Sequence, residues 1–264
     1  MALNHNHLVF PNEVLSNEIE DQYNSKLDLM RFCTIDNSLV GVAGDTKRIR
    51  VYHATDATEK LAMGEGNTKN IEVAYSDETR TIQMCQNRFP YYDEEQMRDP
   101  LVVQTGIRHM TTDMVNTIQD DIIAEFAKAT MQVDCSAFDF GAFVDASALL
   151  NSENIESENL FALCCPADMA SIRKGLKDDL KYVESYSKQG YVGSVAGIPL
   201  YVSKLVPAGT IYGGTRDAVT LFNKKGTEVE QERDANVRLN KVYSRKYYLA
   251  ALTDATKAFK IVKA

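Results

Sequence analysis

The sequence has no tryptophan, only four histidines, and no apolar run long enough to cross a bilayer. A membrane-spanning helix needs about 20 consecutive apolar residues, and the first residues also lack the basic-then-apolar pattern of a signal peptide. We therefore expect a chain that folds in a cytoplasm and has no membrane partner.

An excess of basic charge is also missing. The 264 residues include 29 Lys and Arg against 37 Asp and Glu, which gives a net charge of −8. A dedicated nucleic-acid binder needs a basic face to displace phosphate counterions, so the composition argues against that class. The hydrophobic and charged fractions, 44% and 25%, are ordinary for a folded protein.

The cysteines do not form a disulfide or metal pattern. There are five, an odd number, and no two are spaced as CxxC. Cys164 and Cys165 lie in an apolar run, and apolar surroundings raise the pKa of a thiol and make it a poor nucleophile. We expect buried free thiols.

Motifs of catalysis are absent, since the chain contains neither HExxH nor GxSxG. Gly190, Gly193 and Gly197 have the spacing of a phosphate loop, but the strand-like segment 198–201 follows them where such a loop needs a helix. We interpret them as a structural turn. The prediction is no catalytic residue and no cofactor.

Two groups of residues have weak metal-binding character. His5 and His7 have no carboxylate or cysteine near them in the sequence, so we do not assign them as ligands. The acidic runs 93–95 and 120–121 suit a hard cation, but such runs are more often solvated, and residues 93–99 also precede a helix, where negative charge is favourable. We predict no metal site.

The first part of the chain contains an arm and a hairpin. After Pro11, apolar residues recur at helical spacing as far as Leu27, which predicts one amphipathic helix with too few apolar residues for a core of its own. Residues 47–53 and 71–75 then alternate like strands, separated by a polar, glycine-containing connection. Because an isolated two-stranded ribbon is only marginally stable in water, we expect the hairpin to gain stability from a neighbouring molecule.

A long helix follows. Asp99 and Pro100 have the types of an N-cap and a first helical residue. Beyond them an apolar stripe continues to about residue 129, which predicts a helix of about 45 Å with Gly106 as a tolerated weak point. The stripe consists of Val103, Ile107, Met110, Met114, Ile118, Ile122 and Phe126.

The remaining sequence is of mixed type. We predict a helix over 140–150, a buried strand in the apolar run 160–165, a helix that begins at Pro166, a turn or short helix at 215–218, and two strands in the aromatic tail 242–264.

This order of segments resembles the major capsid protein of tailed bacteriophages, with the Hong Kong 97-type fold. Segment 43–70 resembles the family's extended loop, and 99–129 its spine helix. Segment 193–252, which includes Ile198-Pro199-Leu200-Tyr201 and the Gly209-Thr210 turn, resembles its axial domain.

The resemblance implies an α+β fold divided along the chain. The implied parts are an N-terminal arm (1–45), an extended loop hairpin (46–80), a peripheral domain (81–158) with spine helix 99–130, an axial domain (159–238) and return strands of the peripheral domain (239–264).

The resemblance also implies a function. The chain is expected to self-assemble as hexamers and pentamers into an icosahedral shell around double-stranded DNA, which it contacts non-specifically. Other expected partners are a portal protein and a separate scaffolding protein, because no acidic extension precedes the arm. The loop tip is expected to contact the adjacent subunit through Glu59, Lys60, Leu61, Met63, Glu65 and Lys69. An encapsulin-type nanocompartment shell is the alternative, and a cytoplasmic α/β enzyme a distant one.

Overall fold

The computed structural model describes residues 28–55, 57–99, 101–151, 160–176 and 193–263. The predicted arm helix, His5 and His7 therefore lie outside the described residues. The chain divides into two compact units, a smaller one of residues 43–82 and a larger one made of the rest.

The described elements follow in chain order. The strands are β1 (Thr34–Asp36), β2 (Thr46–Ala54), β3 (Val73–Thr81), β4 (Gln83–Tyr92), β5 (Met131–Cys135), β6 (Phe161–Cys164), β7 (Ser194–Val195), β8 (Ile198–Val202), β9 (Thr210–Gly214), β10 (Val219–Asp234), β11 (Leu239–Leu252) and β12 (Ala258–Lys263). The α-helices are α1 (Asp93–Arg98), α2 (Val102–Phe126), α3 (Phe140–Asn151) and α4 (Pro166–Gly175), and short 3-10 helices cover Asp28–Phe32 and Ala255–Lys257.

The larger unit contains two sheets. One has four strands in the order β1-β10-β11-β4, in which β4, β10 and β11 are antiparallel and β1 lies parallel to β10. The other has six strands in the order β5-β12-β9-β6-β8-β7. Helices and mixed sheets together confirm the predicted α+β class.

Helix α2 packs its predicted stripe against the four-stranded sheet and the core beside it. All seven stripe residues are buried. Those in the first half of the helix lie in one cluster with Tyr91, Val229 and Val242, and those from Met114 to Phe126 lie in a second cluster with Tyr248. The face assignment of the long helix is confirmed.

The start of α2 differs from the prediction. Leu101 precedes the first helical residue, and Asp99 ends α1 in an extended conformation, with φ −137°. The Asp99 carboxylate accepts a hydrogen bond from the Leu101 amide at 3.0 Å. Residues 93–98 form a helix of their own, so Asp99 separates two helices and is not the N-cap of the longer one. Pro100 lies outside the described residues.

The six-stranded sheet has a core of its own, formed with α3 and α4. The predicted buried strand is β6, which lies between β8 and β9 and has four buried side chains. Helix α4 begins at Pro166, where the Cys165 sulfur accepts a hydrogen bond from the Asp168 amide at 3.4 Å. These predictions, and the helix that starts at Phe140, are confirmed.

Strand pairing groups the sequence differently from the predicted boundaries. Strand β10, which we did not predict, pairs along its length with β11, so a boundary at 238 falls in the turn of one hairpin. Strand β12 pairs on one side with β5 of segment 81–158 and on the other with β9 of segment 159–238, so the six-stranded sheet combines both segments. The alternation of β10 is irregular, and β5 and β12 are far apart in the sequence. Local sequence patterns therefore do not reveal either pairing. The assignment of peripheral and axial domains stays a prediction.

The glycine-rich segment forms a turn. Ala196 and Gly197 have φ +49° and +81° and connect β7 to β8, whose end residues Val195 and Ile198 pair directly. Two consecutive positive φ values are typical of a type I′ hairpin turn. The structural interpretation of Gly193 and Gly197 is confirmed, and Gly190 lies outside the described residues.

The smaller unit is a two-stranded ribbon. Strands β2 and β3 are antiparallel, and their register runs from Thr46 opposite Thr81 to Ala54 opposite Val73. Among the described residues no third strand joins them. All side chains of β3 except Arg80 are exposed, so the ribbon buries little apolar surface within the chain.

Candidate intersubunit contact site

The tip of the ribbon, residues 55–72, is closed by a pair of residues just beyond the strands. The Thr55 amide donates to the Glu72 carbonyl at 3.0 Å, and the Glu72 amide donates to the Thr55 hydroxyl at 3.0 Å. These bonds continue the ladder of β2 and β3 by one position. The two ends of the tip are therefore hydrogen-bonded to each other.

Glu59 holds the two sides of the tip together. Its carboxylate accepts hydrogen bonds from the Thr68 amide and the Thr68 hydroxyl, both at 2.8 Å, and lies 4.0 Å from the Lys69 ammonium. The Thr68 hydrogen bonds favour the charged carboxylate and lower the pKa of Glu59 below its ordinary value. Only 16% of its side chain is exposed.

A second carboxylate closes the turn at the far end of the tip. The Ala62 amide donates to Glu65 Oε2, and the Glu65 amide donates to the Ala62 carbonyl, each at 3.1 Å. Gly64, third in this four-residue turn, has φ +92°, a conformation that favours glycine. The turn therefore presents Met63 outward from a defined backbone.

The six predicted contact residues thus divide into two groups. Glu59 and Glu65 are hydrogen-bonded within the tip, and Lys69 is near Glu59. Lys60, Leu61 and Met63 are exposed; Leu61 is 47% exposed and Met63 fully exposed. No local sequence pattern distinguished the two groups, because Glu59 and Thr68 are nine residues apart.

The strands of the ribbon carry a second organised group, which the sequence did not reveal. Arg50 forms two hydrogen bonds with Asp77, from Nε to Oδ1 at 2.7 Å and from Nη2 to Oδ2 at 3.3 Å. The pairing lowers the pKa of Asp77 and raises that of Arg50. Tyr52 and Tyr75 flank this pair. Alternation alone placed Arg50 and Tyr52 on one side of β2, but the cross-strand partners depend on the register.

The acidic run at residues 93–95 has partners inside the chain. Helix α1 begins at Asp93, whose carboxylate accepts hydrogen bonds from Arg233 at 2.8 Å and Asn240 at 2.6 Å, and Glu94 pairs with Arg238 at 2.7 Å. The run was predicted to precede the long helix; it instead forms the first turn of α1, where negative charge is also favourable. Within the described ranges no three metal-ligating side chains gather in one place.

The cysteines are all free. Burial raises the pKa of the Cys33 thiol and of the Cys164 thiol to about 12, so neither forms a thiolate near neutral pH. For the part of the chain with assigned structure, no helix combines the length and apolarity that a bilayer crossing requires.

Comparison with known proteins identifies the family. Residues 77–261, well over half of the chain, match the phage capsid protein family. The chain is 25% identical over 261 residues to the major capsid protein of Staphylococcus phage phiMR11, covering 95% of this chain and 92% of that protein. The chain belongs to the phage capsid protein family.

Solved structures agree on the architecture. The capsid of a native GTA particle superposes with a TM-score of 0.72 at 13% identity, covering 90% of each chain. The capsid of cyanophage P-SCSP1u gives 0.70 at 13% identity, covering 88% of this chain and 86% of that one. An encapsulin from Synechococcus elongatus gives 0.64 at 12% identity, covering 89% and 86%. The predicted Hong Kong 97-type fold is confirmed.

Proposed function

We propose that this chain is the major capsid protein of a tailed phage, which assembles as hexamers and pentamers into an icosahedral shell around double-stranded DNA. The observation that carries the proposal is the family match over residues 77–261, in a chain similar almost end to end to a phage major capsid protein. The role is structural, and no catalytic step is assigned to the chain.

The partners follow from this role. The chain binds other copies of itself, a portal protein and a separate scaffolding protein, and it contacts packaged DNA without sequence preference. With a net charge of −8, the chain repels phosphate on average, which suits a wall along which DNA is packed. The shell is assembled in the host cytoplasm and forms the capsid of the virion.

The loop tip is the proposed contact with the adjacent subunit. Leu61 and Met63 are apolar and exposed, so their burial against a neighbour supplies hydrophobic free energy that the isolated chain does not gain. Lys60 precedes Leu61 in the sequence and provides a positive charge for the contact. Glu59, Glu65 and Lys69 hold the tip in shape and complete the contact site.

The test is to replace residues 59–68 by a two-residue turn. Circular dichroism is expected to remain that of the folded chain, because the loop carries few backbone hydrogen bonds to the rest. Shell formation, followed by electron microscopy, is expected to be lost. The matched point variants are Leu61→Ser with Met63→Ser against Ala62→Ser. Closed shells of normal size from the shortened chain would remove the loop tip from the interface.

The encapsulin alternative shares the fold, and the content of purified shells distinguishes the two. A phage capsid encloses DNA that nuclease cannot reach, and its gene lies beside terminase and portal genes. An encapsulin encloses cargo enzymes. The family match favours the phage capsid, and it favours a structural role over a cytoplasmic α/β enzyme.

A further inference from the structure

The register of the ribbon sorts its side chains onto two faces. Directly opposed residues of antiparallel strands lie on the same face, and Tyr52 is opposite Tyr75, Arg50 opposite Asp77, and Arg48 opposite Thr79. We call the face that carries these pairs the tyrosine face. The opposite face carries Ile49, Val51, Ser76 and Glu78.

The tyrosine face carries the larger exposed apolar surface. Tyr52 and Tyr75 are each 61% exposed, and Val73, at the end of the same row, is 63% exposed. On the opposite face Val51 is 39% exposed and Ile49 is half-buried. Single exposed apolar residues are normal on a protein surface, but a contiguous group of aromatic residues is typical of an interaction surface.

The two tyrosines are held in place before any partner arrives. Besides its two bonds to Asp77, Arg50 donates from Nη1 to the Tyr52 hydroxyl at 3.3 Å, and its guanidinium carbon lies 4.8 Å from the centre of the Tyr75 ring. The two tyrosine rings are 6.1 Å apart at an angle of 55°. Side chains that are already ordered lose less conformational entropy on binding.

The charge of this face points to the partner. On this face strand β2 carries Arg48 and Arg50, although the chain as a whole has a net charge of −8. Asp77 forms its close hydrogen bonds with Arg50, while Arg48 lies 3.7 Å from it with 64% of its side chain exposed. The face therefore presents ordered aromatic rings beside an accessible cation, which complements an acidic surface with apolar patches.

We propose that the tyrosine face of the ribbon docks onto an acidic surface of a second copy of this chain. The proposal rests on the proposed function and adds which face of the loop is buried and what chemistry receives it. The second copy is favoured because it carries a net charge of −8 and belongs to a capsid family, and because among the described residues no third strand joins the ribbon.

Hydroxyl-radical footprinting of the full chain, before and after shell formation, tests the proposal at residue level. We expect oxidation of Tyr52 and Tyr75 to fall several-fold in the shell, while oxidation of Val51 on the opposite face changes little. Equal protection of both faces, or protection of Val51 alone, would overturn the proposal. So would protection of the tyrosines in unassembled subunits on addition of short DNA duplexes, because the occupant would then be DNA.

A pair of neighbouring substitutions gives the matched test. Tyr75→Ser is expected to raise the protein concentration needed for assembly by about tenfold or more, as for a central aromatic contact. Ser76 is the next residue in the strand and lies on the opposite face. Ser76→Ala is expected to leave the protein concentration needed for assembly unchanged. Equal effects of the two variants would contradict the proposal. If Tyr75→Ser does not fold, footprinting of the unaltered chain still decides the question.

The proposed function and the proposed docking face can be refuted independently of each other. Failure of the unaltered chain to form shells under any condition would count against the proposed function. Shells in which Tyr52 and Tyr75 remain as reactive as in the free subunit would leave that function standing and would refute the docking face alone.

Discussion

Gly106 of α2 lies directly beneath the ring of Phe89 on β4. A Cβ atom built on Gly106 would lie 2.3 Å from Cε1 of Phe89 and 2.4 Å from Cζ, closer than real Cβ contacts. The Phe89 ring stacks on Tyr91, with ring centres 5.7 Å apart. Gly106 is therefore the position where the helix approaches the sheet, and it does more than interrupt the helical sequence.

The first prediction concerns this approach. Gly106→Ala is expected to lower the free energy of unfolding by about 1 kcal/mol, because overpacking of about 1–3 kcal/mol exceeds a helix-propensity gain of about 1 kcal/mol. In a Phe89→Ala background the ring is gone, and the same substitution is expected to stabilise the chain. Urea unfolding of the four proteins measures the cycle. A loss of equal size in both backgrounds would show that the ring is not the obstacle.

The second prediction concerns the stripe of α2. Phe126 is fully buried and meets the ring of Phe161 edge to face, with centres 5.7 Å apart. Phe126→Ala is expected to cost about 3–5 kcal/mol and to yield largely insoluble protein. Asp113→Ala, on the exposed side of the same helix, is the control and is expected to be close to neutral. Solubility and unfolding midpoints check both, and similar losses would contradict the face assignment.

A third prediction compares two strand glycines. A Cβ on Gly213 of β9 would lie 2.5 Å from the Phe161 carbonyl oxygen and 2.4 Å from the Phe259 ring, whereas one on Gly226 of β10 would meet nothing within 4 Å. Gly213→Ala is expected to prevent folding, because the neighbouring strand's backbone has no room to move. Gly226→Ala is expected to be tolerated. Soluble expression and thermal unfolding of the two variants provide the comparison.

The fourth prediction is a pH dependence at the loop tip. Because Thr68 lowers the pKa of Glu59 in the folded loop, the charged carboxylate stabilises the tip at pH values above the ordinary glutamate pKa of about 4.3. This stabilisation is expected to disappear as the pH falls through the lowered pKa of the folded state. The Thr68 amide resonance of the unassembled subunit should follow that titration.

Glu59→Gln is the control for this titration. The amide side chain does not ionise, so the Thr68 resonance is expected to lose its pH dependence in the acid range. A titration at or above the ordinary glutamate pKa in the unaltered chain would contradict the assigned hydrogen bonds.

The long helix could be predicted from the sequence, and β10 could not. The stripe from Val103 to Phe126 repeats at helical spacing along one side, and local periodicity is enough to identify it. Strand β10 shifts register between Asn223 and Lys225 and again before Glu228. Its alternation is therefore broken, and only its pairing with β11 makes it one strand.

The loop illustrates the same limit at the level of side chains. Its position and its two strands followed from alternation and glycine content. The hydrogen-bond partners of Glu59 and Asp77 lie across the ribbon. Identifying them requires the register of β2 against β3, which the sequence does not provide. Sequence patterns identify which residues share a face of one strand, but contacts across strands require the fold.

The place of β12 in the six-stranded sheet sets an order of events during synthesis. This strand lies between β5 and β9, pairing parallel with the first and antiparallel with the second, yet it is translated after both. Until residues 258–263 leave the ribosome, two strand edges stay open, and open edges invite pairing with other chains. The sheet is therefore completed only after residues 258–263 have been translated, later than all five of its other strands.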